Sequence, residues 1–94
     1  MNIPKKIQTI LQEKLSAVKV DIIDESHRHA GHKEAQKSGG GHYSVVVVAE
    51  IFKGKPALER HRMVYQALVE LKHEIHALAM KAYTFEEYAE LREM

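Results

Sequence analysis

The sequence predicts an α+β domain with the element order α-β-β-α-β-α. Three observations lead there: helical apolar spacing at the start, four consecutive valines in the middle, and a capping box near the end. Ile3, Ile7, Ile10, Leu11 and Leu15 recur at helical spacing and make one apolar face. Asn2 is placed to cap this helix, and Pro4 falls in its first turn, where a missing N–H costs nothing. Val18, Val20 and Ile22 alternate with Lys19, Asp21 and Ile23, which is the pattern of a half-buried strand ending near Asp24. Residues 25–41 have no apolar period and end in three glycines, so they read as a long loop. Residues 42–52, HYSVVVVAEIF, form the clearest strand, because branching at Cβ restricts χ1. Its valines occupy both faces, which predicts a central strand covered on each side.

The turn Lys53-Gly54-Lys55-Pro56 leads into a helix over 56–71, with Leu58, Tyr65, Leu68 and Val69 as its buried stripe and Arg60, Arg62 and Glu70 off it. Residues 76–83, HALAMKAY, suit a helix by propensity and a strand by alternation. As a strand they put His76, Leu78 and Met80 on one face. Thr84 and Glu87 form a capping box, so a helix starts after Thr84, and the residues just before it are better read as a strand. Phe85, Tyr88 and Leu91 are the apolar face expected for that last helix.

Ninety-four residues support one domain, spanning 1–94. No apolar run is long enough for a membrane span, and the start lacks a signal-peptide pattern, so a cytoplasmic protein is expected. Cysteine is absent and histidine occurs seven times. That composition excludes disulfides, thiol catalysis and thiolate-only metal sites, and leaves imidazole chemistry open. The formal net charge of +1 conceals a basic segment: residues 53–62 hold four bases and one acid.

Four histidines fall in one window: His27, His29, His32 and His42. A glycine-bounded loop with this spacing is compatible with metal ligation and equally with a solvated polar loop. His76, at the edge of an apolar segment, reads either as a half-buried structural histidine or as a second ligand across the gap. Lys53, Lys55, Arg60 and Arg62 suit phosphate contacts near a helix N-terminus, or else an ordinary solvated helix face. Asp24 and Glu25 point to opposite faces of a strand and make a poor acid–base pair, and Ser26-His27 lacks an orienting third group. No complete set of catalytic groups is present, so an enzyme is not expected.

Taken together, four segments resemble the BolA family. They are Asp24-Glu25-Ser26, Phe52-x-Gly54, Arg60-His61-Arg62-x-Val64-Tyr65, and Ile75-His76-Ala77-Leu78-Ala79. Their order and spacing cover nearly the whole chain. The resemblance implies a class II KH-like arrangement, with a three-stranded mixed sheet, helices packed on one face, and residues 76–83 as a strand. It also implies a partner, a monothiol glutaredoxin, and a 2Fe–2S cluster shared with that partner and glutathione. The isolated chain would not hold the cluster. The ligands implied here are His76 and, from the loop, His29, with His27, His32 and His42 as alternatives. A second role proposed for the family is DNA binding and transcription regulation in morphology and stress responses, here through Lys53, Lys55, Arg60 and Arg62. The KH signature GxxG is replaced by Gly54-Lys55-Pro56-Ala57, and the family's late Trp by Tyr88.

Overall fold

The computed structural model describes residues 2–25 and 41–93. The elements are α1 (Ile3–Leu15), β1 (Lys19–Asp24), β2 (Gly41–Val48), α2 (Ala57–Ala67), β3 (Ile75–Tyr83) and α3 (Phe85–Glu93). Short 3-10 turns at Glu50–Phe52 and Val69–Leu71 join them. Among the described residues, no helix is long and apolar enough to cross a membrane.

The strands form one mixed sheet of order β1-β2-β3. β1 is antiparallel to β2, and β3 is parallel to it. The valine run is the central strand, as its composition predicts. Tyr43, Val45 and Val47 face the core with Ile7, Leu11 and Leu15 of α1 and Val64 and Ala67 of α2. The opposite face is less covered than expected, since His42, Ser44 and Val46 remain half-exposed. Among the described residues, that face is closed only at its far end. There Val48 is buried in the row Lys19–Val48–Tyr83. The Tyr88 ring of α3 lies 6.1 Å from the Tyr83 ring and 5.7 Å from the Lys19 ammonium.

The start of α1 is as predicted, with Asn2 Oδ1 accepting from the Lys5 N–H at 3.1 Å. The valine strand is shorter than residues 42–52. It ends at Val48, and Glu50–Phe52 turn so that Phe52 is wholly buried. Gly54, at φ 76°, then occupies the left-handed region that glycine reaches without strain.

The buried stripe of α2 also differs from the expectation. Leu58, Tyr65 and Val69 are exposed, and only Leu68 of the predicted four is buried. The stripe is Arg60, Val64, Ala67, Leu68 and Leu71, so an arginine holds its first position. Arg60 retains only 12% of its side-chain surface. Its Nε donates to the Lys55 carbonyl at 2.7 Å and its Nη1 to the Ala82 carbonyl at 3.0 Å. Nη1 and Nη2 also meet the two carboxylate oxygens of Glu87 at 2.6 and 3.0 Å. The guanidinium carbon lies 5.9 Å from the Phe52 ring centre. One side chain thus ties the turn, the outer edge of β3 and α3 together.

Glu87 completes the capping box at the same time. Its Oε1 accepts from the Thr84 N–H at 3.0 Å, and the Thr84 hydroxyl accepts from the Glu87 N–H at 3.2 Å. Phe85 N–H donates to Glu50 Oε1 at 2.9 Å. Phe85 and Leu91, expected to face inward, are exposed, so α3 is held chiefly by polar contacts and Tyr88. The Arg60 hydrogen bond, with help from the Thr84 N–H, lowers the Glu87 pKa from 4.5 to about 2.

Two predictions follow from these contacts. A Cβ on Gly41 would lie 2.5 Å from the hydroxyl oxygen of Tyr43, whose ring is stiff and buried. Gly41→Ala is expected to cost about 1–3 kcal/mol in urea unfolding through overpacking. Because the folded-state pKa of Glu87 is depressed, its stabilisation is present above pH 4.5 and is lost as pH falls towards 2. Gln at this position keeps a capping box. The urea-midpoint difference between wild type and Glu87→Gln should therefore be constant above pH 4.5 and shrink to nothing near pH 2.

Candidate metal and partner site

The start of β2 and the start of β3 lie side by side at one end of the sheet. Gly41 N–H donates to the Glu74 carbonyl at 3.1 Å, and Glu25 N–H to the His42 carbonyl at 2.8 Å. The end of β1, the start of β2 and the start of β3 therefore meet there.

The pairing of β2 with β3 is irregular at this corner. Gly41 is opposite Ile75, but His42 is opposite Ala77. His76 is the extra residue of a β-bulge, a device that re-aims a side chain. Its consequence is visible in the burial pattern. Ile75, Leu78, Met80 and Ala82 all pack on the core, although strict alternation would separate Ile75 from the other three. His76 and Ala77 are both exposed. The expected face of His76, Leu78 and Met80 is therefore corrected: the bulge removes His76 from it.

The freed ring meets another imidazole. The centroids of His42 and His76 are 5.0 Å apart, with the ring planes tilted by 48°. His27, His29 and His32 lie outside the described residues. Among the described residues, no group of three or more His, Asp or Glu side chains is gathered as a metal set. The described corner thus offers two nitrogen donors and no complete cage.

Beside His76, a groove of about 250 Å³ runs between α2 and β3. Tyr65 bridges its walls by donating its hydroxyl to the Leu78 carbonyl at 3.1 Å. Sequence reasoning missed this groove because it assigned Tyr65 and Val69 to the core. The informative signal was Arg60, since a stripe phased through Arg60 and Val64 leaves Tyr65 and Val69 outside.

The predicted basic cluster is split by the fold. Arg60 is engaged by Lys55, Ala82 and Glu87, as described above. Lys53 and Arg62 are exposed, and Lys55 is half-buried. Phosphate contact would therefore fall to these three, while Arg60 serves the fold. Asp24 closes β1 opposite Tyr43. Burial, and secondarily the Asp24 charge, raises the Tyr43 phenol above its ordinary pKa.

Comparison with known proteins agrees with this architecture. A family model described as BolA-like protein matches residues 11–87. The DNA-binding transcriptional regulator BolA of Escherichia coli K12 is 35% identical over 94 residues, covering 99% of this chain and 86% of that protein. The structure of BolA1 from Arabidopsis thaliana superposes with a TM-score of 0.76 at 34% identity, covering 93% of this chain and 96% of that one. A Bol-like protein from Babesia bovis gives a TM-score of 0.79 at 26% identity, covering 98% of this chain and 95% of the other. With the fold, the four motifs and these matches in agreement, the chain belongs to the BolA-like protein family.

Proposed function

We propose that this protein is a non-catalytic adaptor that pairs with a monothiol glutaredoxin and contributes imidazole nitrogens to a shared 2Fe–2S cluster, in iron–sulfur maturation or iron homeostasis. The observation that carries this reading is the exposed His76 on its bulge, with the His42 ring 5.0 Å away. Two imidazoles bound to one tetrahedral metal through bonds of about 2.1 Å have ring centroids about 5 Å apart. The 5.0 Å separation is compatible with both rings on one iron and is also an ordinary ring-packing distance. A chain with no cysteine has no thiolate to offer, so the thiolates come from the partner and glutathione. His76 is the first ligand. The second is His29, implied by the family resemblance, or His42, whose ring is already alongside. When bound, such a cluster stores one electron, and imidazole in place of thiolate raises its potential. This chain's part is to present neutral rings, so acidification weakens binding.

The test is anaerobic mixing of the chain with cluster-loaded monothiol glutaredoxin, followed by visible absorption and circular dichroism. Wild type should change both spectra. His76→Ala should abolish the change, and one of His29→Ala and His42→Ala should match it. An unaltered spectral change with His76→Ala would refute the ligand assignment.

A second reading is DNA binding, favoured by the naming of the Escherichia coli relative as a DNA-binding transcriptional regulator. Lys53, Lys55 and Arg62 would contact phosphates, so affinity for duplex DNA should fall steeply with salt. Lys53→Glu with Lys55→Glu should remove most of that affinity in a gel-shift titration at low salt. Undiminished binding by that double variant would rule the surface out.

A further inference from the structure

We infer that the groove between α2 and β3 is the docking pocket for the protein that shares the metal with His76, and that it takes an apolar side chain flanked by an acidic one. The inference rests on the functional reading above for the identity of the partner. Its own basis is the surface around His76.

Tyr65 and Val69 are 53% and 54% exposed, although both are large and apolar. They line the groove together with Leu68, Ile75 and Leu78, and His76 stands on the same rim. Clustered apolar exposure of this kind marks interaction surfaces, and tyrosine is enriched in them. Enclosing a small-molecule ligand takes about 300–1000 Å³. At about 250 Å³ the groove is small for that purpose and suits a single inserted side chain.

The mode of engagement is narrowed by the edge of β3. An open edge strand invites another strand to add to it. Here the outward carbonyls of Leu78 and Ala82 already accept hydrogen bonds from Tyr65 and Arg60. Strand addition would have to compete with both, so engagement through side chains in the groove is favoured.

Charge and position select the occupant. Lys72 lines the groove and makes no ion pair among the described residues, whereas the nearby Glu70 is paired with Lys14 at 3.4 Å. Lys72 is the formally charged side chain in the groove lining, and an acidic group on the partner complements it. Any protein that brings a thiolate to a metal held by His76 must cover this rim, because His76 and Ala77 belong to it. Docking and ligation are thus separable: the groove supplies affinity without metal, and His76 supplies the metal bond.

The experiment is calorimetric titration of the full chain with a purified monothiol glutaredoxin, once free of iron and once cluster-loaded, alongside the visible spectra. Val69→Asp should weaken iron-free binding at least tenfold while retaining the wild-type far-UV circular dichroism. Val69→Leu should stay within about threefold of wild type, and Lys72→Glu should weaken binding where Lys72→Arg does not. His76→Ala should lose the spectral change. Wild-type affinity in Val69→Asp would overturn the groove and leave the cluster reading standing. Iron-free binding that depends on Val69, without any spectral change in wild type, would support the groove and refute the cluster reading. If Val69→Asp instead dissolves a dimer of the chain alone, seen by sedimentation, the groove is a self-association surface and the inference fails.

Discussion

The fork of Arg60 is the interaction on which most of this structure depends. A cation on the buried stripe of a helix is costly unless its donors are satisfied. Here they reach two carbonyls and both oxygens of Glu87. Each partner belongs to a different element, so the same charge fixes the turn before α2, the edge of β3 and the start of α3. Its guanidinium also lies over the buried Phe52 ring. Because Glu87 shares its Oε1 between Arg60 and the Thr84 N–H, the fork and the helix cap are one network. Removal of Glu87 leaves the largely buried Arg60 without its counter-charge and Thr84 without its cap, so the network responds as a unit.

The fork also bears on the functional end of the molecule. With Tyr65, it engages two outward carbonyls of β3, those of Leu78 and Ala82, which blunts the exposed edge. The strand then has one place where its geometry is released, the bulge at His76. Core residues on either side, Ile75 and Leu78, are both anchored. Between them the chain carries an additional residue, and its ring is directed out of the core. A rigid strand with a single bulge is a suitable support for a ligand that must reach beyond the molecule's own surface.

The element order, the central position of the valines and the capped start of α1 were legible in the sequence, because each is a local pattern with one physical reading. The strand at 76–83 was not legible from propensity: its alanines, leucine and methionine favour a helix, and the family resemblance together with the Thr84 capping box decided it. The stripe of α2 was misphased for a related reason. Sequence reading gives a buried position to the larger apolar residue, and Leu58, Tyr65 and Val69 outrank an arginine on that scale. What reversed the order was a partner 27 residues away, Glu87, which nothing local to α2 announces. The bulge was invisible as well, since it depends on the pairing of two strands. Of the candidate site, His76 and His42 were both singled out in the sequence, and the fold places their rings 5.0 Å apart. The basic cluster lost Arg60 to the fold.

We propose that this chain donates histidine nitrogen to an iron–sulfur cluster held jointly with a thiol-bearing partner. The most direct measurement is pulsed electron paramagnetic resonance of the reduced complex, prepared with ¹⁵N-histidine in this chain and natural-abundance partner. ¹⁵N hyperfine coupling from imidazole bound to iron is expected in the wild-type complex, and it should vanish when this chain carries natural-abundance histidine. A reduced cluster signal with no ¹⁵N coupling in the wild-type complex would contradict the proposal.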